Sequence, residues 1–408
     1  MARFSIIFAA LAVAACAAQQ ALAPAEPPAA PSFDPALVRK GAELAALGDC
    51  NTCHTAPGGK PYAGGRALKT PFGTLYGTNI TPDPETGIGR WSGAAFRRAL
   101  REGLDREGRH LYPAFPYEYY TRLSDEDIRA LYAYVMTREP VRASPPPHEL
   151  RFPYNVRALL GAWKALYFRP GVFQPDPRRS AHANRGAYLA ESLAHCGACH
   201  TPRNALGAEM KEHAFDGGEA EGWHAPALNA ANPAPVPWSA QQLFTYLRTG
   251  LDAQHAIAAG PMDPVVRNLA RVAEEDVRAL ADYFAALMPG RGQTPEAKAD
   301  SGGPGAAIYA GACGTCHDRG RDASSGSALP LAFASALALP TSKNLLRITL
   351  EGIAPPAGEP GRFMPGFAQA LTDAQVKELM RYSRSRFGGG APPWDDVDEE
   401  LRKAREDK

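Results

Sequence analysis

The chain has 408 residues, 45% of them hydrophobic and 21% charged. At about 150 residues per domain this suits two to four packed domains, and it excludes both a disordered chain and a polytopic membrane protein. Lys and Arg total 44 against 43 for Asp and Glu, so a binder held to nucleic acid by net positive charge is excluded as well.

From the N-terminus, Met1-Ala2-Arg3 and the apolar run at residues 4–15 predict a secretory signal over residues 1–17, too short to span a bilayer. Val13-Ala14-Ala15-Cys16 resembles a lipoprotein box, which would make a lipidated Cys16 the first mature residue; the rival is ordinary cleavage near Ala17 or Ala18, and a third site after Ala21-Leu22-Ala23 is disfavoured by Pro24. Either way the mature chain is expected to be exported, periplasmic, and associated with the membrane through a lipid anchor or a complex. Residues 18–33 read as an Ala/Pro tether.

Three domains follow, at 34–140, 180–290 and 305–390. Each opens on a helical lead: Gly41-Ala42-Glu43-Leu44-Ala45, Gly186-Ala187-Tyr188-Leu189-Ala190 and Gly305-Ala306-Ala307-Ile308-Tyr309. Each closes on an acidic helix start: Leu123-Ser124-Asp125-Glu126, Val272-Ala273-Glu274-Glu275 and Leu371-Thr372-Asp373-Ala374. The pairs Leu131/Tyr134, Leu280/Tyr283 and Leu379/Tyr382 then mark a core-facing stripe, with Ser124 and Thr372 as N-caps. The first linker, 141–179, carries Pro145-Pro146-Pro147 and an apolar helix at 156–168 with Trp163. That helix packs on a neighbouring domain, or docks to a partner or the membrane surface. The second linker is 291–304. The tail at 391–408 is charged and reads as a solvated helix or a disordered end.

Apart from Cys16, every cysteine falls in Cys-x-x-Cys-His: Cys50 and Cys53 with His54, Cys196 and Cys199 with His200, Cys313 and Cys316 with His317. This is the pattern of covalent c-type haem attachment. Two thiols one helical turn apart can each form a thioether to a haem vinyl group, and the adjacent histidine then serves as proximal iron ligand. A zinc site would need a second Cys pair near each motif, but 146 residues separate Cys50 from Cys196 and 117 separate Cys196 from Cys313. Three covalently bound haem c groups are expected, in a mostly α fold.

The repeats share a frame. Trp91-Ser92 matches Trp238-Ser239, and Arg101-Glu102-Gly103-Leu104-Asp105 matches Arg248-Thr249-Gly250-Leu251-Asp252. Glu351-Gly352-Ile353 joins in the third repeat. Twelve residues beyond Gly250 and Gly352 stand Met262 and Met364, in Pro-rich loops before the closing helices. A thioether is a soft neutral ligand that raises haem potential, so these are the expected distal ligands. Met136, Met288 and Met380 read as packing. The first repeat has Phe115 at that place, which cannot bind iron. His110 is the nearest alternative: it swings in as distal ligand, or it is a loop histidine and the site stays open.

Asn79-Ile80-Thr81-Pro82-Asp83, Gly87-Ile88-Gly89-Arg90-Trp91, His110-Leu111-Tyr112-Pro113-Ala114 and Cys199-His200-Thr201-Pro202-Arg203-Asn204 resemble the triheme cytochrome c subunits of bacterial membrane-associated dehydrogenases over residues 34–388. Phe115-Pro116-Tyr117 and Gly222-Trp223-His224-Ala225-Pro226-Ala227-Leu228-Asn229 look more like the branch serving molybdenum hydroxylases such as nicotinate and isoquinoline oxidoreductases. The resemblance implies three tandem cytochrome c domains. It implies a partner dehydrogenase of molybdenum hydroxylase, quinoprotein or flavoprotein type, and electron transfer towards quinone or a terminal oxidase. No substrate-converting site and no nucleic-acid partner are implied. Phe115 departs from the alcohol-dehydrogenase pattern, which has Met there. Two other readings compete: a free periplasmic electron carrier, and a haem peroxidase using an open first haem.

Overall fold

A computed structural model describes residues 21–26, 32–290, 296–300, 302–318, 328–355 and 363–406. The signal segment with Cys16 lies outside the described residues. Among the described residues seventeen α-helices dominate, joined by long loops and seven short strands. None of these helices is long and apolar enough to cross a membrane.

Packing divides the chain into two compact units, one reaching Ala198 and including Arg271–Asp276, the other formed by Cys199–Ala270 and Val277–Lys408. In the first, helix Pro35–Leu47 starts where Asp34 accepts the Ala36 amide and proline fills the first turn. It packs along the closing helix Asp125–Met136, capped as expected by Ser124 accepting the Asp127 amide. A Cβ on Gly41 would stand 2.0 Å from the Ala130 carbonyl oxygen, so only glycine permits this crossing. The same device recurs in the second unit: helix Pro304–Ala312 crosses Asp373–Phe387 with Gly305 against the Glu378 carbonyl, where a Cβ would be at 2.4 Å. Leu131, Leu280 and Leu379 are all buried, as are Met136, Met288 and Met380.

Three details differ from the sequence reading. The linker helix spans Leu159–Tyr167, beginning later than the expected 156, because three-residue turns precede it: Val156 N–H bonds the Pro153 carbonyl and Leu159 N–H the Val156 carbonyl. The lead helix of the second repeat, Ala181–Glu191, belongs to the first unit rather than standing with its own domain. Tyr188 accordingly donates to Asp127 Oδ2 at 2.5 Å and accepts from the Ser124 amide at 3.0 Å, and Arg185 makes a two-pronged bond to Asp276 at 2.8 and 2.7 Å. The charged tail is not simply solvated: helix Val397–Glu406 buries Leu401 and Ala404 in the core of the third repeat, and Trp394 Nε1 donates to the Leu339 carbonyl at 2.9 Å.

Candidate haem centres

The first Cys-x-x-Cys-His is built on the short helix Cys50–Cys53, entered through Asp49 at φ 51°. Asp49 Oδ1 accepts from Thr52 Oγ1 at 2.5 Å, and the His54 amide closes the turn on the Cys50 carbonyl at 3.1 Å. The second and third motifs continue into helices Gly197–His200 and Gly314–His317. His195, just before Cys196, repeats the left-handed entry at φ 37°. The spacing thus places both sulfurs and the histidine on one turn in each repeat.

The three histidines share an environment that sequence reading missed. His54 Nδ1 lies 2.6 Å from the Thr78 carbonyl, His200 Nδ1 2.6 Å from the Pro226 carbonyl, and His317 Nδ1 2.9 Å from the Leu329 carbonyl. A carbonyl only accepts, so Nδ1 carries the proton in each. That fixes the tautomer and leaves the Nε2 lone pair for a metal. Burial lowers the pKa of His54 and His200, against a smaller upward pull from those carbonyl bonds, so the neutral, ligating form is favoured.

The cysteines fit the same group. None of the six is in a disulfide. Burial, helped by the charges of Asp49 and Cys53, pushes the Cys50 thiol up to about 12; burial with the charges of Cys316 and Asp318 pushes Cys313 to about 11. Among the described residues no group of three or more His, Cys, Asp or Glu side chains is placed to hold a metal ion, so a thiolate-held zinc lacks its further ligands, whereas a thioether carries no charge to desolvate. Donor set and orientation therefore suit a covalently attached haem iron rather than a thiolate-held cation.

The distal loops spring from Gly103, Gly250 and Gly352, all at positive φ near the ends of helices. The next residue pairs back across each loop: Leu104 with His110, Leu251 with Ile257, Ile353 with Met364. Phe115 and Met262 therefore hold the same place, each five residues beyond its paired residue. Met364 is itself the paired residue, so the shared count of twelve is spent differently in the third repeat. Met262 starts helix Met262–Leu269, and the Trp223 ring packs on Gly260 two residues earlier, where a Cβ would meet it at 2.3 Å.

His110 is engaged elsewhere. Lys164 Nζ stands 3.4 Å from His110 Nδ1 and also bonds the Glu102 and Gly103 carbonyls, while Arg157 Nη1 donates to the His110 carbonyl at 2.7 Å. An ammonium only donates, so Nδ1 accepts and Nε2 holds the proton. Nε2 also packs within 3.2 Å of where a Cβ on Gly161 would lie. Burial, then the charges of Lys164 and Arg157, lower the His110 pKa, and burial lowers Lys164 to about 8. Around the first motif the structure adds Tyr120, which is buried, feels the Cys50 and Cys53 charges, and meets the Phe115 ring edge-on at 5.2 Å.

In the second unit, the strand Trp223–Ala225 beside His200's carbonyl partner is clamped to helix Lys343–Glu351. Asn344 exchanges bonds with the His224 amide and carbonyl at 2.8 and 2.9 Å, and Arg347 Nε donates to the Gly222 carbonyl at 2.7 Å. His255, fully buried and stacked on Trp238 at 3.7 Å, bonds Asp252 and the Val236 carbonyl, and its own carbonyl accepts from Ser335. Within the second unit, segments of the second and third repeats are thus joined by hydrogen bonds.

Residues 38–139 match the family model described as Cytochrome c, and residues 301–382 match that described as Cytochrome C oxidase, cbb3-type, subunit III. The second motif lies between these stretches. The chain is 48% identical over 385 residues to a nicotinate dehydrogenase subunit of Pseudomonas putida, an alignment covering 91% of this chain and 32% of that protein. It therefore spans about a third of that relative's length. It is 36% identical over 403 residues to the Fructose dehydrogenase cytochrome subunit of Gluconobacter japonicus, covering 90% and 82% of the two chains. With the Alcohol dehydrogenase (quinone), cytochrome c subunit, of Gluconobacter oxydans it shares 35% over 388 residues, covering 88% and 80%.

Proposed function

Because this chain belongs to the family of cytochrome c subunits of bacterial dehydrogenases, we propose that it accepts electrons from a partner dehydrogenase and relays them to a quinone or a terminal oxidase. The observation that carries this reading is the threefold recurrence of one arrangement: Cys-x-x-Cys-His with the histidine Nδ1–H bonded to a backbone carbonyl. The likeness to a subunit of nicotinate dehydrogenase favours a molybdenum hydroxylase as the partner over a quinoprotein or flavoprotein.

In this proposal the chain forms three cytochrome c domains at 34–140, 180–290 and 305–390, each holding one haem c. Such a group supplies one-electron transfer and no substrate chemistry. The cysteines fix its position, and His54, His200 and His317 are its proximal ligands. Met262 and Met364 are the distal ligands of the second and third sites. At the first site the tautomer of His110 and its bonds to the linker helix favour an open distal position. The bonds of Asn344 and His255 tie segments of the second repeat to the third within the second unit, which limits the rearrangement there that accompanies a change of charge. The chain is exported to the periplasm and membrane-associated, with Cys16 as one route to anchoring.

Purification of the native protein by a C-terminal tag tests this. A dehydrogenase should co-purify, and adding its organic substrate without oxygen should reduce the c-type absorption bands. A preparation that is homogeneous, fully haem-loaded and free of any dehydrogenase under gentle extraction contradicts the subunit reading.

A further inference from the structure

Among the described residues eight large hydrophobic side chains are exposed, and six of them lie between Phe152 and Val172. Phe152 is 81% exposed, Leu166 64% and Leu159 52%. So dense a cluster exceeds the scatter of single apolar residues on ordinary surfaces.

The segment is laid on the first unit by its inward side chains. Arg157 reaches the His110 carbonyl, Lys164 the Glu102 and Gly103 carbonyls, and the buried Phe168 meets Tyr117 edge-on at 5.1 Å. Further anchors are the Gly171 amide on Thr121 Oγ1 and the Phe173 amide on the Arg122 carbonyl. With Lys164 turned inward, the opposite face of helix Leu159–Tyr167 presents Leu159, Ala162, Trp163 and Leu166, at i, i+3, i+4 and i+7, and carries no charge.

Charge identifies the occupant. From Arg151 to Pro175 there are four cations, Arg151, Arg157, Lys164 and Arg169, and no Asp or Glu. Arg151 and Arg169 are exposed at the two ends of the apolar face. Tyr154, Trp163 and Tyr167 add rings with a polar edge, the side chains that settle at the boundary between lipid and water. Nine residues make a helix of about 13.5 Å, too short to cross a bilayer but suited to lie in its surface. We propose that Phe152–Val172 is a membrane-docking element that inserts Phe152, Leu159 and Leu166 among the lipids of an anionic bilayer surface, with Arg151 and Arg169 on the headgroups. This deepens the proposed membrane association and needs no acyl chain on Cys16.

The test uses the full, haem-loaded exported chain carrying Cys16→Ala, so that no lipid anchor contributes. Its probe is co-sedimentation with vesicles of equimolar phosphatidylethanolamine and phosphatidylglycerol. The chain should pellet with these vesicles, less with pure phosphatidylcholine, and less in high salt. Phe152→Ser and Leu166→Glu should each lower the partition coefficient about tenfold, the loss expected for one large buried apolar side chain. Leu206→Glu, at an exposed site outside the segment, should not lower it. The haem spectrum reports that each variant is folded. No sedimentation with anionic vesicles, or sedimentation indifferent to both substitutions, overturns the proposal. So does a Leu166→Glu chain that still binds vesicles but no longer co-purifies with a dehydrogenase, which would assign the face to a protein partner. Failure of the native chain to bring down a dehydrogenase, with vesicle binding intact, would refute the subunit reading alone.

Discussion

Met364→Ala is expected to lower the potential of one haem on the order of 100 mV, well inside the roughly 0.8 V that axial ligands command. The backbone around Met364 is held independently of its side chain: its amide donates to the Ile353 carbonyl at 2.7 Å and its carbonyl accepts the Ile353 amide at 2.9 Å. The substitution therefore removes the sulfur while leaving the loop pinned. Loss of a thioether removes the ligand that favours reduced iron. Met262→Ala should act likewise on a different haem, since Met262 stands at the start of its own helix. Redox titration followed in the visible bands reads both. Unchanged potentials in Met364→Ala would take that residue out of the ligand set.

One haem of the reduced native protein is expected to bind carbon monoxide. Phe115 offers no lone pair and stands where Met262 stands in the second repeat. His110 presents Nε2–H, not a lone pair, because Lys164 donates to its Nδ1. His110→Ala should therefore leave carbon monoxide binding in place. Phe115→Met should abolish it and raise that haem's potential, since Phe115 already lies against Tyr120 beside the first motif. Native protein without carbon monoxide binding, together with binding created by His110→Ala, would make His110 the sixth ligand.

The three attachment motifs were legible because thioether chemistry demands local spacing, and spacing is what a sequence displays. The caps at Ser124 and Thr372 were legible for the same reason, each satisfying an amide three residues on. The carbonyl partners of the three histidines were not. They lie 24, 26 and 12 residues downstream, so no offset repeats, and a backbone acceptor leaves no side-chain signature. The docking of the tail was hidden because charges surround Val397, Leu401 and Ala404, although their spacing already makes a helical stripe. His110 shows a different limit. Its place five residues before Phe115 left it open as ligand or loop histidine, because what its ring faces depends on Lys164, 54 residues away. The Gly-plus-twelve count coincides with the backbone pairing register in the first two repeats and not in the third, where Met364 is itself the paired residue.

The number of covalent haems per chain bears most directly on the relay. Pyridine haemochrome titration of the exported protein, with chain concentration fixed by amino-acid analysis, should give three. A value of two or fewer in fully matured protein would contradict it.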